Sequence, residues 1–205
     1  MKKILSILFS SIILMSSANS AGMIGIKAGM GTLDGTRTSD TKFNTASGSV
    51  DHEYGAIFAE FEVNDMFSIG AEYIPLEATI DTKATTSADS HANISDHKTI
   101  YVLVPIADVF YAKAGYSHAD SSITANYANT TVTDQPDAIE GPMIGLGAQL
   151  ESPIPFLDVV RLEATYTDYG KMSITTTNTN GTTDTDVKTG EAEQFTFTIG
   201  LAKSF

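Results

Sequence analysis

Apolar and polar positions alternate along most of this chain. From Gln194 to Leu201, Phe195, Phe197, Ile199 and Leu201 fall on one side of an extended backbone, with Gln194, Thr196, Thr198 and Gly200 on the other. That period of two marks a β-strand with two unlike faces. The rhythm recurs upstream with Ile24, Ile26, Ala28 and Met30; Ile57, Ala59, Phe61 and Val63; and Phe67, Ile69, Ala71 and Tyr73. It returns with Ile100, Val102 and Val104; Phe110, Ala112, Ala114 and Tyr116; Ile144, Leu146, Ala148 and Leu150; and Val160, Leu162, Ala164 and Tyr166. Eight strands are predicted.

The connections fall into two kinds that take turns. Segments 34–51, 81–97, 119–137 and 170–193 are rich in Thr, Ser, Asp and Gly and show no apolar period, so they are expected to be long exposed loops. Between them lie short turns at Asn64-Asp65, at 105–109, and at 152–158 with Pro153 and Pro155. An even strand count puts both ends of the chain on one side. Eight strands of about eleven residues, with these loops and turns, account for roughly 180 residues, which leaves no room for a second domain.

Charge separates the two faces. The apolar face carries none until Lys203, whereas the opposite face carries Lys27, Glu60, Glu62, Glu72, Lys113, Arg161 and Glu163. A basic side chain facing lipid at the bilayer midplane costs about 2–4 kcal/mol, so the charged face must point inward if the strands cross a membrane. A ring of eight strands encloses an interior that side chains just fill. The seven charges sit near the strand ends next to the short turns. They are expected to pair into a network that plugs that half of the lumen, since buried ions without partners are costly. Tyr54, Phe58 and Tyr101, with several Gly and Thr, are expected to line a less ionic outer half.

Residues 1–21 have the layout of a secretory signal peptide: Lys2 and Lys3, an apolar run from Ile4 to Met15, then small residues. The run of about twelve residues is too short to span a bilayer as a helix. Residues 22–205 then form the mature domain. Losing Lys2 and Lys3 takes the formal net charge from −13 to about −15, the opposite of a nucleic-acid binder's balance. The chain has no cysteine, which excludes lipid anchoring and disulfide stapling.

Candidate chemistry is sparse. His52, His91, His97 and His118 fall at or beyond the outward strand ends, near Asp51, Asp89 and Asp96, but none has the short fixed spacing of a zinc site. Gly29-Met30-Gly31 lacks the spacing and the following helix of a phosphate loop, and is read as small residues in a crowded wall. No catalytic, cofactor or metal residue is assigned.

The ending Ile199-Gly200-Leu201-Ala202-Lys203-Ser204-Phe205 resembles the carboxyl-terminal signature of bacterial outer-membrane β-barrels, departing from it at Lys203. Segments 111–116, 141–147 and 161–170 resemble internal strands of the eight-stranded family that includes OmpA-type transmembrane domains, OmpX-like proteins and opacity proteins. The resemblance implies an all-β, eight-stranded antiparallel up-and-down transmembrane barrel in the outer membrane of a Gram-negative-type cell. Phe197, Ile199, Gly200, Leu201 and Phe205 then form the signal read by the barrel-assembly machinery after periplasmic chaperones deliver the chain. The expected surroundings are outer-membrane lipids and lipopolysaccharide, the expected state a monomer. The expected role is non-catalytic: envelope stability, adhesion, or contact with host or phage through four acidic extracellular loops and a partner the sequence does not name. A narrow small-solute channel is the alternative, and a loop-borne enzyme a more distant one.

Overall fold

The computed structural model describes residues 21–39, 45–75, 78–83, 89–126, 130–178 and 184–205. The signal segment expected at 1–21 lies, apart from Ala21, outside the described residues. In chain order the strands are β1 (Gly22–Ser39), β2 (Thr45–Asn64), β3 (Phe67–Ile74), β4 (Ala78–Lys83), β5 (Asp89–Pro105), β6 (Phe110–Asn126), β7 (Thr130–Asp134), β8 (Ala138–Glu151), β9 (Val159–Asn178) and β10 (Asp184–Ser204). Eight of them follow one another around a ring, β10-β1-β2-β3-β5-β6-β8-β9, and β9 pairs β10 to close it. Neighbours are antiparallel throughout. Closure gives each of the eight strands a bonded neighbour on both sides, which is what lets strands cross hydrocarbon.

The period of two now has a physical reading. Ile26, Met30, Ile100, Ile144 and Leu146 point out of the ring and are 60–68 % exposed. In water a continuous band of such residues would be sticky; against lipid tails it is solvated. The alternate positions point inward, and Lys27, Glu60, Lys113, Arg161 and Glu163 are each 4 % exposed or less.

The outward segments correct the sequence reading. Much of what was expected as loop is strand: β1 continues to Ser39, β2 starts at Thr45, β5 at Asp89 and β10 at Asp184, while β4 and β7 pair with the outer parts of β5 and β9. The apolar period is missing there because the outer face of these extensions meets water instead of lipid tails. Their β-branched Thr content still favours extended backbone. β9 and β10, of 20 and 21 residues, rise roughly 50 Å along the barrel axis at the usual strand tilt of about 40°, against an apolar band of about 25 Å. The surplus stands above the membrane as a collar.

At the other end the turns are short and held by side chains. Asn64 Oδ1 accepts the N–H groups of Met66 (2.9 Å) and Phe67 (3.1 Å), and Ser152 Oγ accepts that of Ile154 (3.1 Å). These are the self-bonding turns that Asn and Ser favour. The first and last strands are tied there as well, with reciprocal bonds between Gly22 and Phe205 of 3.0 and 2.9 Å.

Candidate functional site

Six side chains form a layer across the lumen. Lys27 of β1 donates to Glu72 of β3 at 2.7 Å and to Glu163 of β9. Lys113 of β6 bridges the same two carboxylates at 3.3 and 3.2 Å. Arg161 of β9 grips Glu60 of β2 with both terminal nitrogens, Nη2 lying 2.7 Å from Oε2, and its Nη2 also donates to Gln149 Oε1 of β8 at 2.8 Å. Two tyrosines add further donors: Tyr101 of β5 donates to Glu60 and Tyr111 of β6 to Glu163, each at 2.7 Å. Three cations meet three anions, so the layer is neutral.

Aromatic rings fill the space between the ions. Lys113 Nζ sits 3.9 Å from the Tyr101 ring centre, and the Arg161 guanidinium lies over Phe58 and Tyr111 at 5.2 and 5.1 Å. Such contacts attract a cation to the ring face. The rings can lie across the barrel because glycines face them: a Cβ on Gly70 would come within 2.4 Å of Tyr101, and one on Gly147 within 2.3 Å of Tyr111. Every barrel strand except β10 supplies a polar group to the layer, and β10 passes Lys27 with Gly200, where a Cβ would stand 3.2 Å from Lys27 Cγ.

The lumen differs above and below. On the turn side a cavity of about 370 Å³ opens outward and ends at Arg161, Glu60 and Gln149. On the collar side lies a gallery of hydroxyls, with Thr99 bonded to Ser117 at 2.9 Å and Thr165 to Thr196 at 2.6 Å, enclosing only about 20 Å³. A chain of bonds then crosses the lumen from His97 to Tyr169 (2.9 Å), Gln194 (2.7 Å) and His52 (2.7 Å). Beyond it, Ala119, Ile139, Tyr169 and Ala192 are buried with Leu33, Ile94 and Met172 against them. Sequence reasoning missed this apolar stopper, whose members are single apolar residues scattered through polar stretches.

No family model and no curated protein sequence matches this chain. Solved structures do. The outer membrane protein OprG from Pseudomonas aeruginosa superposes with a TM-score of 0.63 at 13 % identity, covering 91 % of this chain and 97 % of that one. AlkL, an outer membrane protein solved by solid-state NMR in DMPC bilayers, gives 0.56 at 11 % identity, covering 91 % and 90 %. This chain has the fold of an outer-membrane β-barrel. Identities this low speak for fold alone.

In an outer-membrane barrel the short turns face the periplasm and the longer connections face outward, so the ionic layer belongs to the periplasmic half and the collar is extracellular. Glu62, expected in the network, is not in it. It is exposed on the rim of the periplasmic cavity, because it lies one inward position nearer the turn than Glu60, where the barrel opens to water. Phe58 and Tyr101, expected higher in the lumen, belong to the ionic layer itself. The reason is register: Phe58 is paired directly with Glu72, and Tyr101 lies two residues to the turn side of Thr99, which is also paired with Glu72. Tyr54 lies above them against Gly29, where a Cβ would fall 2.8 Å from its ring.

The histidines do not converge. His52 and His97 are spent on the bond chain across the lumen, and His118 lies between Asp120 and Glu140 at 3.3 and 3.4 Å. Asp51 accepts from Thr32 and Asp96 from Tyr73; the side chains of His91 and Asp89 lie outside the described residues. Among the described residues no three His, Asp or Glu side chains are grouped to hold a metal ion.

Of the carboxyl-terminal residues, Phe197, Ile199 and Phe205 are 50–54 % exposed, Leu201 is half-buried and Gly200 faces inward. Lys203, where the terminal signature departs, pairs with Asp158 in the last periplasmic turn at 2.8 Å, and the Ser204 N–H also donates to Asp158 at 2.8 Å. Donation by Lys203, with help from Ser204, holds the Asp158 carboxyl below its ordinary value. A depressed carboxyl means the clamp is intact above the usual Asp range and loosens only as pH falls through the lowered value. An NMR titration of Asp158 is therefore expected to show a midpoint below that of a free Asp, returning toward it in Lys203→Met. Equal midpoints in the two proteins would remove the clamp.

Proposed function

We propose that this protein is a closed, non-catalytic barrel that anchors an extracellular collar, and that the collar is the working part. The observation that carries this is the ionic layer: a neutral, fully packed set of side chains from seven strands standing between the periplasmic cavity and the gallery. Ions passing along the axis would have to break paired charges in a confined, low-dielectric space. The strand extensions on the other side put acidic surface well beyond the headgroups. On this reading the apolar band meets outer-membrane lipids and lipopolysaccharide, the carboxyl-terminal strand is the assembly machinery's handle, the barrel is monomeric, and contact with an external partner falls to the collar.

The test is electrical. The refolded protein in planar bilayers is expected to give no single-channel steps at neutral pH and moderate salt. Discrete steps from the unaltered protein, in preparations shown to be folded by heat-dependent gel migration, would replace the closed-barrel reading with the small-solute channel.

A further inference from the structure

Around the collar the wall is not complete. β2 pairs with β3 only through residues 57–64. Residues 45–56 bond to β1 on one side and, among the described residues, to no strand on the other. β3 ends at Ile74, just before Pro75, and β4, which follows on the outer side, pairs among the described residues with β5 alone. Among the described residues, a seam therefore opens between two strand edges without a partner, those of β2 and β4. A second break in the ladder, between β8 and β9 outward of Met143 and Thr167, is of another kind. There the backbones touch, with a Cβ on Gly141 falling 1.7 Å from the Asp168 carbonyl oxygen, and no strand fits between them.

Proteins blunt exposed edges with lysines, prolines or bulges. Four other extracellular strands carry such devices: register shifts at Ser95/Lys98 in β5, Val132/Asp134 in β7 and Glu191/Glu193 in β10, and Lys83 in β4. The β2 edge has none. Its ladder to β1 runs from Gly22 opposite Phe61 to Thr38 opposite Thr45 without a shift, and residues 45–56 contain neither Lys nor Pro. In such an antiparallel edge every second residue turns its N–H and C=O away from its partner, so the β2 edge offers a straight row of free donors and acceptors.

Charge indicates what would take them. The outward segments 34–54, 75–98, 118–140 and 168–193 hold seventeen acidic residues against six basic ones, and on the edge strand itself Asp51 and Glu53 are exposed. We propose that residues 45–56 of β2 are a β-augmentation site that receives an extended segment of a basic polypeptide as an added strand. Main-chain hydrogen bonds supply the affinity, as they do where peptides extend a sheet, and Lys or Arg side chains opposite Asp51 and Glu53 supply the selectivity and speed the encounter. The proposal rests on the surface-contact reading above and names its partner class.

Hydrogen exchange on the whole mature protein in lipid nanodiscs tests it. The probe is a twelve-residue peptide of alternating Lys and Val, at neutral pH and low salt. At about ten times its dissociation constant, amides in 45–56 are expected to exchange about tenfold more slowly, while those of β4 and β7 are unchanged. The same peptide with alternate backbone nitrogens methylated keeps its charge, loses its donors and is expected to give no protection. The double variant Asp51→Asn/Glu53→Gln is expected to weaken the binding severalfold. Equal effects of the plain and methylated peptides would reduce the interaction to charge adsorption and overturn the proposal, as would protection confined to other strands or none at all. Conductance measured on the same preparation reports separately on the closed barrel, so a silent barrel that ignores the peptide discards the edge alone.

Discussion

Arg161→Met is expected to destabilise the folded barrel by about 3–5 kcal/mol, the usual cost of stranding a buried charge by deleting its partner. Glu60 accepts two bonds from Arg161 and one from Tyr101 and is 3 % exposed. Without the guanidinium its carboxylate keeps a single neutral donor, Tyr101, at the narrow inner end of the turn-side cavity, and Gln149 Oε1 loses its donor too. The layer falls from three cations against three anions to two against three. Removing both charges is a different matter, since a buried pair replaced by apolar residues of similar volume often leaves stability unchanged or higher. Glu60→Met/Arg161→Met is therefore expected to recover most of the loss. Reversible denaturant unfolding from lipid vesicles measures both. A single variant within about 1 kcal/mol of the parent, or a double variant worse than the single, would show that the layer is not a coupled charge network.

Gly141→Ala should be the next most damaging of the substitutions considered, although it adds one methyl group. The added Cβ would lie 1.7 Å from the Asp168 carbonyl oxygen and 2.7 Å from its carbonyl carbon, both backbone atoms that cannot swing aside. β8 and β9 run side by side there without ladder bonds, and Pro142 has no N–H to offer. The methyl group must force the strands apart and unsettle Ile139 and Tyr169, which pack together just inside. Overpacking of this kind costs about 1–3 kcal/mol, and more when the obstacle is backbone. Gly48→Ala is the control. Nothing lies within 4 Å of its added Cβ, so the change is expected to stay within about 0.5 kcal/mol. The same unfolding assay separates the two, and equal stability of Gly141→Ala and Gly48→Ala would mean that the two backbones are not in contact.

Each of these residues was legible in the sequence to a different degree. Arg161 stands out because a basic residue amid an otherwise apolar alternation has one direction it can face. Gly141 does not, because its meaning depends on Asp168, 27 positions away, whose carbonyl it meets only after the ring closes. The same holds for Phe58 and Tyr101: their inward direction follows from parity, but their height in the lumen depends on the register that sets them beside Gly25 and Gly70 of the neighbouring strands.

The sequence by itself determined the number of barrel strands, the inward and outward sides of each, the alternation of short and long connections, and the sign of the collar's charge. These follow from local rules, the period of two and the cost of exposing ions to hydrocarbon, which act residue by residue. Tertiary structure alone decided that Glu62 lies outside the ionic layer, that Thr-rich stretches continue as paired strands, that scattered Leu33, Ile94 and Ile139 meet in an apolar stopper, and that the outer part of β2 meets, among the described residues, no strand on one side. Those outcomes depend on register between strands far apart in the chain, and a pattern polar on both faces carries no information about register.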